Sequence, residues 1–363
     1  MINTKSQCRS LSGILGIVVT AALSIAVSGV ALAQAAGKVV GLSFVERQVG
    51  NLDQTIKFYE TLDFKLKGKP GDWQVDAAAN QLTGSKGVES RVAVMTMQSS
   101  VSDIPMDFVL REYRGLERQN WSSLSSSDLL SGHMDLTVLD DCNPWMDKLK
   151  AVDLLKLPEM GGVSSANAEG PRRFVFIQDP DGWYVELFAK MKPAPGAPPE
   201  GPKVSNSTAT MENIDRLGKQ PGFNHLGLNV IDPVKALSFY HDFMGGDYAA
   251  FTPPPAPAAG QAPRMAMMNG WFPQAGTTNN LRFELIGFPQ NKDKQAPAMK
   301  ITDIGVTISG FEVSGLDDLY ARAKAAGAIT VSEGGIVAVA DGRAVIVRDP
   351  DVGGFVKFWE KKQ

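Results

Sequence analysis

The sequence predicts an α+β fold of four similar units, each a strand, a helix and three further strands, and three observations carry that reading. Two amphipathic helical stretches repeat, NLDQTIKFY ending at Tyr59 and DPVKALSFY ending at Tyr240. The turn Asp179, Pro180, Asp181 recurs as Asp349, Pro350, Asp351, each time between two apolar runs. Pro presets the φ of such a turn, and Gly182 closes the first copy. The opening strands also share a pattern. In GHMDLTVL, Met134, Leu136 and Val138 point one way and His133, Asp135 and Thr137 the other, since side chains alternate across a pleat. Landmarks that return in the same order are the mark of an internal repeat.

Taken in order, the first unit opens with a strand over Val39 to Gly50 and a helix over Leu52 to Leu62 that turns Ile56, Phe58 and Tyr59 inward. Strands follow at Arg91 to Met97 and Met106 to Tyr113. The second unit has a strand over Gly132 to Leu139, a helix over Pro144 to Val152 and the hairpin FVFIQDPDGWYVELF, Phe174 to Phe188. KPAPGAPPEGPK is then a Pro-rich spacer, extended at about 3.1 Å per residue. The third unit has a strand over Phe223 to Ile231, a helix over Pro233 to Met244, the surface loop FTPPPAPAAGQAP, and strands at Arg264 to Met268 and Leu281 to Phe288. The fourth has a strand over Asp303 to Val313, a helix over Leu316 to Ala326, and strands at Ala344 to Arg348 and Phe355 to Trp359. The division is a leader over 1–37, a first domain over 38–191, a linker over 192–220 and a second domain over 221–363.

A length of 363 residues fits about two to three domains. A net charge of −3 gives no basic footprint and excludes a nucleic-acid partner. The leader has a positive start at Lys5 and Arg9, an apolar stretch from Leu11 to Val30, and the A-x-A site Ala31, Leu32, Ala33. It predicts export, a periplasmic or secreted chain beginning near Gln34, and no stable membrane association after cleavage. The uncharged run from Ser10 to Gly37 would also serve as an uncleaved anchor, because it exceeds the roughly 20 residues that span a bilayer. Cys142 reads as a plain half-buried cysteine.

One residue breaks the hairpin's apolar pattern. Glu186 shares a face with Tyr184 and Phe188 in the middle of a greasy strand, where a charge is costly unless something pairs with it. At this point GFNHLGLNVIDPVKALSFY, SGHMDLTV and DPDGWYVELF resemble the vicinal oxygen chelate superfamily of glyoxalases, bleomycin-resistance proteins and ring-cleaving dioxygenases. The resemblance covers nearly all of 39–360 and implies four βαβββ units in two tandem domains. In that family metal ligands come from the first and last strand of a unit. His133 with Glu186 and His225 with Glu284 fall on those places in the second and third units. The other two units put Phe44, Val109, Ile308 and Lys357 there. Glu46 and Glu312 are out of step with the ligand positions.

The resemblance leaves two pairings open. Units joined in chain order give each domain half a site, whereas pairing the second with the third, as in the glyoxalase I branch, would unite all four donors. The united site implies one divalent metal ion (zinc, nickel, manganese or iron), a small-molecule ligand with vicinal oxygens, and Glu186 as the catalytic, proton-shuttling carboxylate. Tyr184, Phe188 and Asn229 are candidate pocket residues. The implied activity is a glyoxalase-like lyase or isomerase, in a monomer or homodimer. Its alternatives are a sequestering protein of the bleomycin-resistance type and a dioxygenase-like enzyme. Export argues against a housekeeping thiol-adduct glyoxalase. The DPDG turn receives no catalytic role, and His241, late in a helix, is read as solvent-facing.

Overall fold

Asn51 begins the first described helix as its cap, its side chain accepting from Gln54 N, and the helix then buries Leu52, Thr55, Ile56, Phe58 and Tyr59. Each large apolar side chain so buried contributes about 1.5–3 kcal/mol. The structure is a computed structural model describing residues 36–139, 141–158, 174–190, 220–248, 265–351 and 353–362. The leader up to Ala35, the spacer 192–219, the piece 159–173 and the loop FTPPPAPAAGQAP lie outside the described residues.

The first unit comprises β1 (Lys38–Val49), α1 (Leu52–Thr61), β2 (Lys65–Leu66), β3 (Gln74–Val75), α2 (Ala77–Thr83), β4 (Glu89–Met97) and β5 (Met106–Arg114). Helix α2 lies where the sequence gives no helical period. Asp76 caps it through Ala79 N, and Gly84, left-handed at φ 65°, ends it. In the second unit are β6 (Gly132–Leu139), α3 (Asn143–Ala151), β7 (Phe174–Gln178) and β8 (Tyr184–Lys190). The DPDG turn joins the last two, with Gly182 at φ 82°.

The third unit holds β9 (Gly222–Val230), α4 (Pro233–Leu237), β10 (Ala266–Pro273) and β11 (Asn280–Gly287). The expected helix over Pro233 to Met244 is α-helical only to Leu237 and widens into a π-helix over Ser238–Phe243. The fourth unit runs β12 (Thr307–Ser314), α5 (Leu316–Ala325), β13 (Ile329–Thr330), β14 (Val337–Val339), β15 (Gly342–Arg348) and β16 (Phe355–Lys361). Its first strand starts four residues later than the sequence suggests. Asp303 instead sits in a turn, its carboxylate accepting from Lys300 N, Gln119 N and Trp121 Nε1.

These strands form two sheets, and each sheet takes one unit from either half of the chain. A ten-stranded sheet has the order β13-β15-β16-β12-β1-β5-β4-β2, with β14 on β15 and β3 on β4. A six-stranded sheet has the order β10-β11-β9-β6-β8-β7. The outer units thus meet at an antiparallel β1/β12 seam and the inner units at an antiparallel β6/β9 seam. Among the described residues no helix is long and apolar enough to cross a membrane.

Within each half of the chain the two units are also tied through a helix. Tyr59 donates its hydroxyl to Asp179 at 3.0 Å, and Tyr240 donates to Asp349 at 3.2 Å. Asp179 further pairs with Arg47 at 3.2 Å, both side chains fully buried, and accepts from the Asp181 and Trp183 amides. The repeated turn of the second and fourth units is therefore a buried anchor for the helix of the unit before it.

Candidate metal centre at the seam of the six-stranded sheet

At the β6/β9 seam, His133 stands opposite Gly227 and Asp135 opposite His225. On the flanks Glu186 lies beside Asp135 and Glu284 beside Gly227. Alternation puts all of these side chains on one face. The His133 ring lies over Gly227, where a Cβ would collide with the imidazole. A side chain at 227 would therefore displace a site residue.

The four predicted donors converge. Nε2 of His133 is 3.2 Å from Nε2 of His225, 3.4 Å from Oε2 of Glu186 and 3.5 Å from Oε2 of Glu284, and His225 Nε2 is 3.5 Å from that same Glu284 oxygen. Three atoms with the mutual separations of His133, His225 and Glu284 share a point about 2.1 Å from each, inside the ordinary range for zinc with nitrogen and oxygen ligands. Two imidazoles and carboxylates are also a suitable donor set for a divalent transition ion. The residues therefore fit the group, and Asp135, Glu186 and His225 form a second, overlapping cluster.

Burial dominates the electrostatics. His225 is fully buried, and burial followed by the neighbouring Arg282 charge pushes its pKa down to about 3. Burial also lowers His133, so both rings are neutral and present lone pairs. For Glu284 burial opposes ionisation, yet Arg282 and His225 outweigh it and hold the carboxyl well below the usual range. Glu186 goes the other way, pushed up to about 7 by burial and then by Glu284. Asp135 is raised well above the usual range by burial and then by Glu186.

Two residues around this cluster carry roles that the sequence did not assign. Arg282, two positions before Glu284 on the same face, sets a guanidinium nitrogen 2.8 Å from Nδ1 and 3.0 Å from Nε2 of His225. The period of two that placed Glu284 places Arg282 as well. Asn224 lies next to His225, its Oδ1 3.0 Å from His225 Nδ1 and its amide donating to Thr137 Oγ1 at 2.9 Å. A proton on Nδ1 would satisfy that contact and leave Nε2 facing the other donors.

The candidate pocket residues are placed differently from one another. Phe188 is half-buried on the site face. Tyr184 is buried and donates its hydroxyl to Leu124 O at 3.0 Å. Asn229 donates both amide hydrogens to the carbonyls of Ser126 and Asp128, so it holds that loop in place. Phe176 meets the His133 ring edge to face at 5.6 Å. His241 is part-exposed, its Nδ1 2.6 Å from Gly246 O.

Residues 222–353 match the model of the Glyoxalase/Bleomycin resistance protein/Dioxygenase superfamily. The match covers the third unit and most of the fourth, so those residues carry this superfamily's pattern. A glyoxalase I variant from Zea mays has the same fold at a TM-score of 0.51 and 15% identity, covering 89% of this chain and 92% of its own. A second Zea mays glyoxalase I variant gives 0.51 at 14% identity, covering 90% and 94%. No curated protein matches the sequence.

The outer units form an equivalent second seam in the ten-stranded sheet. At β1/β12, Phe44 stands opposite Gly310 and Glu46 opposite Ile308, with Val109 beside Glu46 and Lys357 beside Gly310. Phe44 and Ile308 thus take the positions of His133 and His225, and Val109 and Lys357 those of Glu186 and Glu284. Ion pairs fill this face. Glu46 accepts from Arg111 at 2.8 Å and lies 3.7 Å from the Lys357 ammonium, which sits 5.1 Å from the Phe44 ring centre. Burial opposes ionisation of Glu46, but Arg111 and Lys357 bring its carboxyl down to about 2.

Proposed function

We propose that this chain is an exported, metal-dependent lyase or isomerase of the glyoxalase kind, acting on a small substrate with vicinal oxygens. The observation that supports this reading best is the convergence of His133, His225, Glu284 and Glu186 from both halves of the chain to separations of 3.2–3.5 Å. A divalent ion held there would supply Lewis-acid polarisation of a substrate oxygen. His133 Nε2, His225 Nε2 and Glu284 Oε2 are the steady donors, because two are neutral and the third stays ionised. Glu186, with its carboxyl pushed up to about 7, is the group suited to take a proton from carbon beside a carbonyl and return it. Asn224 orients His225, and Phe176 shields the edge of His133 from water. The leader in the sequence supports a periplasmic or secreted location.

The experiment is proton exchange into a small α-hydroxyketone, dihydroxyacetone, in deuterated buffer with zinc-loaded protein. Wild type is expected to exchange the carbon-bound hydrogens, and Glu186→Gln to lose about 10²–10⁴-fold of that rate. Stoichiometric zinc with no exchange above buffer would contradict the enzyme reading and favour a sequestering protein.

A further inference from the structure

Arg282 differs from every other charged group at the seam in where it stands. Its side chain is 31% exposed, whereas those of His133, His225, Glu186 and Glu284 are 8%, 0%, 17% and 4% exposed. It is the one cationic side chain among those described on this face of the six-stranded sheet. Strand pairing sets Trp271 of β10 directly across from it, so indole and guanidinium share the face. Trp271 is 7% exposed, and its Nε1 has no hydrogen-bond partner among the described residues. The Arg282 Nε is likewise unsatisfied, lying 3.3 Å from Glu284 Oε1 without an aligned hydrogen bond. Buried donors left unpaired are expensive, and an incoming oxygen would satisfy them.

We infer that the site selects a substrate bearing a carboxylate or phosphonate, docked on the Arg282 guanidinium and the Trp271 indole N–H beside the donor cluster. The inference rests on the metal-site reading above and adds the chemical class of what enters. A planar guanidinium takes a carboxylate or phosphonate through two parallel, charge-assisted hydrogen bonds, whereas a neutral hydroxyl pair accepts without the charge.

The test is calorimetric titration of glycolate, hydroxymethylphosphonate and neutral ethylene glycol into zinc-loaded and metal-free protein, with bound zinc measured on every variant. Zinc-loaded wild type is expected to bind at least one anion tenfold or more tightly than the diol, and whichever anion wins identifies the head group. Arg282→Gln should lose tenfold or more of the anion affinity and leave the diol unchanged. Arg282→Lys should recover part of it, and Trp271→Phe, which keeps the ring, should lose a few-fold. Equal binding of anion and diol, or unchanged anion binding in Arg282→Gln and Trp271→Phe, would overturn the inference. A wild type that takes up no zinc would instead sink the metal-site reading. The metal-free titrations would still decide this one, since an anion preference abolished by Arg282→Gln supports it and the lack of one refutes it.

Discussion

Glu46 faces Ile308 across the β1/β12 seam at the register where Asp135 faces His225 across the β6/β9 seam. One sheet brings the candidate metal donors to this place and the other brings an internal ion cluster. The Glu46 side chain is 5% exposed and depends on Arg111, and secondarily on Lys357, to stay ionised.

Arg111→Met should therefore destabilise the fold by about 3 kcal/mol, because it strands a buried carboxylate. The double variant Glu46→Met with Arg111→Met should return most of that loss. Urea unfolding measures both. An Arg111→Met midpoint equal to wild type would show that the cluster contributes nothing.

Asp179→Asn should cost about 3–5 kcal/mol, since Arg47 would lose its carboxylate while fully buried. Tyr59→Phe removes only a hydroxyl hydrogen bond to the same aspartate and should cost about 1 kcal/mol. Thermal unfolding of the two variants gives the comparison. Equal losses would mean that the ion pair adds nothing beyond the hydrogen bond.

The fold was legible because periodicity and turns are local. The first strands, the helix bearing Tyr59 and the DPD hairpins could be placed from residue order alone. The donors were legible for the same reason, as His133, Glu186, His225 and Glu284 each fall on a definite parity of a strand. Which seam they share was not legible, because seam pairing depends on contacts between residues some ninety positions apart. In sequence the DPDG motif reads only as a turn. Its second role appears when Arg47, itself in a strand remote in sequence, is delivered beneath Asp179. Arg282 carries no such signal, because an arginine in a strand gives no local sign of what its guanidinium will touch. The widening of the Pro233 helix after Leu237 likewise has no signal in SFYHDF, which keeps an ordinary helical pattern.

Metal uptake should depend on pH through Glu186. Its carboxyl is raised to about 7, so it is protonated below that value and cannot ligate. The histidines are lowered and stay neutral across the same window, so they add no steps there. Zinc affinity should then fall as pH drops from about 8 to 6, approaching tenfold per unit below 7. Competition titration with a chromophoric chelator reads this, and Glu186→Gln should flatten the profile. A wild-type profile that is already flat would remove Glu186 from the ligand set.

The central claim is that residues from both halves of the chain hold one ion. Equilibrium dialysis with zinc, nickel, manganese and iron on wild type, His133→Ala and His225→Ala tests it most directly. The account predicts one metal per chain in wild type and loss of most of that binding in both variants alike, although the two residues lie 92 positions apart. No stoichiometric metal in wild type, or two variants that behave differently with one of them binding as wild type does, would contradict it.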